Sequence, residues 1–115
     1  MTAKEFNELL LLKFPEIKKD FDAYVEWQDG IDTGSFLVVE DVFMKYCNRL
    51  LKKKDYKKFA YVCEIIESIL MMNDEYASNV VVVGILENLK CGEYEDLVLN
   101  YLLPISRKDF DDIDV

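Results

Sequence analysis

Apolar residues recur along most of this chain at intervals of three and four, the period of helices laid against a core. Thr2-Ala3-Lys4-Glu5 has the form of a capping box, in which hydroxyl and carboxylate satisfy each other's backbone N–H groups. Phe6, Leu9, Leu10 and Lys13 follow at helical spacing, and the helix is expected to end near Lys13, because a residue before proline is pushed out of the α region. Pro15 suits the first position of a second helix, with Glu16 in its first turn and Ile17, Phe21, Tyr24 and Val25 on its apolar side. Trp27 falls near its end, and residues 29–34 read as a loop. Ser35 is the expected N-cap of a third helix over 36–53, with Phe36, Val39, Phe43, Tyr46, Cys47 and Leu50 on one face and Lys45, Arg49 and Lys52 on the other. Asp55 caps a fourth helix, 56–72, whose core face is Phe59, Val62, Cys63, Ile66, Ile69 and Leu70. Glu64 and Ser68 point away from that face, and Glu67 sits at its margin.

The chain is organised around residues 75–90, apolar nearly all round: Tyr76, Val80, Val83 and Leu86 on one side, Val81, Val82, Ile85 and Leu89 on the other. Four successive valines suit a strand. The length, the capping residues Asn73 and Asp74, and Gly92 just beyond the last periodic position favour a buried helix instead. Gly84 in mid-helix points to close approach of a neighbouring helix. A sixth helix is expected over 93–103, with Tyr94, Leu97, Val98 and Tyr101 on one side, stopped by Pro104. The predicted fold is all-α, about six helices, the last four stacked as antiparallel hairpins in a short α-solenoid-like bundle. One domain spans 1–105, and 106–115, rich in aspartate, is expected to be an acidic tail.

Composition narrows the function classes. The 115 residues suffice for one domain with a core. No apolar run reaches the roughly 18 to 20 residues of a membrane span, and Lys4, Glu5 and Glu8 stand where a signal peptide would be basic, so a cytoplasmic protein is expected. Cys47, Cys63 and Cys91 lack metal-ligand spacing and read as reduced thiols. Histidine is absent, which removes the commonest general base and zinc ligand and argues against a hydrolase or transition-metal enzyme. The net charge of −9 is uneven: residues 35–60 carry seven basic and three acidic groups, and residues 61–115 carry three basic and twelve acidic ones. Such a protein repels nucleic acid and attracts basic proteins.

Three constellations carry candidate chemistry. Glu40 and Glu87 fall in apolar sectors of their helices, and Asn79 lies two turns before Glu87 on an adjoining line. They read either as a buried polar pocket for a cation or a partner's side chain, or as a structural link to a neighbouring helix. The basic run from Lys45 to Lys58 reads either as a site for nucleic acid or phosphate or, as the acidity of the rest of the chain favours, as a solvated helix end and turn. The acidic set Glu64, Asp74, Glu75, Glu93, Glu95, Asp96 and the tail aspartates reads as a docking face for a basic partner, with Tyr61 and Trp27 as aromatic anchors, or as solubilising surface. Asp29 and Asp32 have the wrong spacing for a calcium loop. No catalytic residue, metal site or cofactor is expected.

The first helix followed by Phe14-Pro15-Glu16-Ile17, together with Glu75-Tyr76-Ala77-Ser78-Asn79 and Gly84-Ile85-Leu86-Glu87-Asn88-Leu89, resembles a family of small acidic bacterial helical domains of undefined activity. Its members look like immunity proteins of contact-dependent growth inhibition and other polymorphic toxin systems. The resemblance covers most of the chain, matches Asn79 and Glu87 to the family's polar positions and implies no enzyme. It implies a protein that binds and neutralises a cognate toxin domain, basic and nuclease-like, through an acidic surface. The alternative is an adaptor that holds a peptide or protein partner.

Overall fold

The capping box forms as its sequence requires: the Thr2 hydroxyl accepts from the Glu5 amide at 3.1 Å and the Glu5 carboxylate from the Thr2 amide at 2.8 Å, opening α1 (Ala3–Lys13). The structure is a computed structural model and describes residues 1–114. After a 3₁₀ turn at Pro15–Ile17 come α2 (Lys18–Val25), α3 (residues 35–52), α4 (Tyr56–Met71), α5 (residues 75–90), α6 (Glu95–Leu99) and α7 (Pro104–Asp112). The fold is all-α, with seven helices and no strand among the described residues. Asp55 and Asp74 cap α4 and α5 through the Lys58 and Ala77 amides. The core face expected of α4 is fully buried. α3 packs on α4 and α5, α7 packs on both α4 and α5, and α1 lies against α3 and the 3₁₀ turn at Gly30–Asp32.

α3 and α5 are not uniformly α-helical. Each loosens into a π-helical stretch, over Val39–Phe43 and Val80–Leu86, and the two stretches pack against each other. Gly84 lies at this crossing: a Cβ there would stand 3.0 Å from Val39 Cγ1, so the glycine permits the helices' close approach. A π turn holds more residues than an α turn, and residues beyond it rotate around the axis. This rotation is why Phe36 and Val83, assigned by α-periodicity to the core, are 38% and 49% exposed.

Three further expectations are corrected. Gly34, not Ser35, is the N-cap of α3; Ser35 is already in the helix, and its hydroxyl donates to the Oδ1 of buried Asn7 at 2.9 Å. The helix expected over 93–103 shrinks to α6, and Pro104 begins a helix rather than only ending one. Residues 106–114 are consequently no free tail. They belong largely to α7, which buries Ser106 and Phe110, so the expected domain boundary falls inside a helix. α7 is held at both ends. The buried Glu67 carboxylate accepts from the Ile105 and Ser106 amides, both at 2.9 Å, where the N-cap Leu103 supplies no side-chain cap. Lys90 Nζ donates to the Phe110 and Ile113 carbonyls at 2.8 and 2.9 Å and lies 5.3 Å from the Phe110 ring centroid. Carboxylate at the N-terminus and ammonium at the C-terminus both match the helix dipole.

Candidate partner-binding groove

α5 presents Val83, Glu87, Asn88 and Cys91 outward, and the phase shift of α3 brings Phe36 and Glu40 alongside them. Together with Gly84 these residues line a shallow pocket of about 330 Å³. On the other side of Glu87 a second pocket, of about 310 Å³, is lined by Val82, Glu87, Asp109, Asp112, Ile113 and Asp114. Glu87 is common to both, so two adjacent pockets flank it on α5, one beside α3 and the other beside α7. The first carries the carboxylates of Glu40 and Glu87 beside an apolar strip of exposed Phe36 and Val83, and the second carries those of Glu87, Asp109, Asp112 and Asp114. The Asn88 amide donates to the Gly84 carbonyl at 2.7 Å, which closes one backbone acceptor beside the strip. Among the described residues no group of three or more carboxylate, thiol or imidazole side chains is disposed to hold a metal ion. A negative rim around exposed apolar side chains is suited to a cationic, partly apolar protein segment.

The expected residues are distributed as follows. Glu40 and Glu87 do share a pocket, but Glu40 is exposed and Asn79 and Glu87 are half-buried, so the buried polar pocket is corrected to a surface pocket. Asn79 lies in a separate depression with Met1, Asp74, Glu75 and Tyr76. There the Asp74 carboxylate accepts from the Met1 ammonium at 2.8 Å and the Ala77 amide at 2.9 Å, and the first of these bonds is the main cause holding its acidity below the usual value. Glu93 stands among Lys45, Arg49 and Lys52 in another depression. Glu64 is exposed on α4, and on α6 Asp96 is exposed and Glu95 half-buried.

Of the two aromatic anchors, Trp27 is 87% exposed on the turn after α2. Tyr61 is half-buried: its ring meets Phe14 edge-on at 5.5 Å, its hydroxyl donates to the Lys13 carbonyl at 3.3 Å and the Lys58 ammonium lies over it, so it is a packing residue and not a free anchor. The neighbouring Glu16 accepts from Tyr46 and pairs with Lys58 at 2.9 Å. Burial works against the charged form of Glu16, but these two donors outweigh it and keep the carboxyl below its ordinary pKa.

Asp109, Asp112 and Asp114 were expected in the acidic docking set, but on a free tail and not beside α5, because 106–115 reads as a tail. Pro104, preferred at the first position of a helix, and the apolar Phe110 six residues on are the signals that mark α7. Comparison with curated proteins finds no match, and comparison with solved structures finds none. Residues 7–114 match the family described as a domain of unknown function (DUF7674), and the chain belongs to that family.

Proposed function

We propose that this protein is a non-enzymatic immunity protein that binds a cognate toxin domain, basic and of the nuclease type, and neutralises it by occupying its surface. The observation that carries the reading is the pair of pockets around Glu87, lined by five carboxylates and with exposed Phe36 and Val83 in one of them, on a protein of net charge −9. Charge of this sign speeds encounter with a basic partner, and the apolar strip supplies contact that persists once salt screens the charges. No helix among the described residues is long and apolar enough to cross a membrane.

The test is co-expression with the toxin domain encoded beside this chain, followed by co-purification at low and high salt. Protection of the cells, and a complex weakened by salt and by Glu87→Lys with Asp112→Lys, are expected. Absence of both complex and protection overturns the proposal. The exposure of Phe36, Leu37 and Val83 favours a second reading, an adaptor for an apolar peptide. Binding that ignores salt and charge reversal but is lost with Val83→Asp selects it.

A further inference from the structure

The acidic surface of this protein is interrupted on one face of α3. Lys45, Arg49 and Lys52 follow at intervals of four and three, which places them in line, and with Asn48 they form one wall of a pocket of about 360 Å³. The opposite wall is Glu93 and Tyr94 from the link between α5 and α6. Lys45 and Lys52 form no ion pair with any described residue, and Arg49 reaches the Asp20 carboxylate at 3.2 Å through one terminal nitrogen, which leaves its other donors free. A solvated helix end accounts for Lys52, Lys53 and Lys54, where cations complement the dipole. It does not account for Lys45, about two turns from that end and beyond the reach of the effect. Nor does it account for Tyr94 in the lining of the same pocket.

We propose that this pocket binds a small aromatic phosphomonoester of the nucleoside 5′-monophosphate class. With Arg49 paired to Asp20, the two unpaired lysines against the carboxylate of Glu93 leave a net charge of +1, the sign that a phosphate needs. Lysine and arginine give such a group charge-assisted hydrogen bonds. Tyr94 offers a face for the ring. The Asn48 amide and the Glu93 carboxylate offer a donor and acceptors for sugar hydroxyls or ring amines. The pocket lies at the small end of the range for ligand sites, which fits one ring and one phosphate rather than an oligomer. Its residues are not those of the Glu87 pockets, so the two proposals stand or fall separately.

The experiment is calorimetric titration of the full chain with adenosine monophosphate, adenosine and inorganic phosphate. Expected are saturable one-to-one binding of the monophosphate, weaker binding of phosphate and none of adenosine. Lys45→Glu with Lys52→Glu, both at exposed positions, should weaken monophosphate binding by at least about tenfold. Lys45→Gln with Lys52→Gln serves if the reversal perturbs the helical circular dichroism. Tyr94→Leu should weaken the monophosphate and leave inorganic phosphate unchanged. Failure of the monophosphate to saturate overturns the proposal. So does an equal response to phosphate that Tyr94→Leu does not alter, the mark of a nonspecific anion patch. Affinity for single-stranded RNA that rises with its length would make the face a nucleic-acid surface instead and also overturn it.

Discussion

Removing the Glu67 carboxylate should loosen the whole C-terminal third of the fold. Glu67 is 8% exposed and holds the first free amides of α7, those of Ile105 and Ser106, at 2.9 Å each. Among the described residues no other side chain caps the N-terminus of that helix. A hydrogen bond to a charged group contributes about 1.5–3 kcal/mol, and loss of an ordinary N-cap costs about 0.5–2 kcal/mol. Water entering the vacated space recovers part of the loss, so Glu67→Ala should cost about 3 kcal/mol. For a domain of this size that corresponds to roughly 12 °C in melting temperature. Glu67→Gln keeps the shape and one acceptor oxygen, and should cost about half as much. Urea unfolding followed by circular dichroism gives the two free energies. Amide exchange shows where the protection goes, first from Ile105, Ser106 and Phe110. The reasoning is refuted if Glu67→Ala unfolds within about 0.5 kcal/mol of the native protein, the range of an ordinary surface substitution, and leaves exchange in α7 unchanged.

The Gly84→Ala variant should be destabilised by about 1 kcal/mol despite better helix propensity, because its Cβ meets Val39 Cγ1 at 3.0 Å; a double variant with Val39→Ala should show the two changes to be non-additive in chemical denaturation. Asn7 is fully buried, donates to the Ile31 and Thr33 carbonyls at 2.9 and 2.7 Å and accepts from Ser35, so Asn7→Ala should lower stability by about 2–3 kcal/mol in the same assay. Of the three thiols, exposed Cys91 alone should react with a disulfide reagent at pH 8 in the native state, since burial raises the pKa of Cys47 and pushes Cys63 up to about 12; all three should react in denaturant. Tyr24 is pushed up to about 12 by its hydrogen bond to Asp41, and Tyr46 is raised by burial and by its bond to Glu16. A folded pKa above the unfolded value gives stability that is complete below about pH 10 and lost as the pH rises through the folded value. Melting temperature should therefore fall between pH 10 and about 12, less steeply in Tyr24→Phe, and an unchanged slope would refute the assignment.

The all-α class, the caps at Thr2, Asp55 and Asp74, the buried face of α4 and the close approach at Gly84 were legible in the sequence. Each depends on residues within a few positions of one another, or on a period along one helix, and those relations are present before the chain folds. The site was legible only in part: Glu40 and Glu87 were singled out, but their surroundings were misjudged. An α-helical period carried through Val39–Phe43 and Val80–Leu86 puts Phe36 and Val83 in the core, whereas the π turns rotate them into solvent beside the two carboxylates. Glu67 stands at the edge of its own helix face, and only a partner 38 and 39 residues away makes it a buried cap. That contact, with Lys90 at the other end, turns an aspartate-rich stretch from apparent tail into α7 and brings Asp109, Asp112 and Asp114 against Glu87. Helix identity is thus local hydrogen bonding and periodicity written in adjacent residues. Which carboxylates share a pocket was decided only when distant helices packed, because packing sets the rotation of each helix and the partners of its marginal side chains.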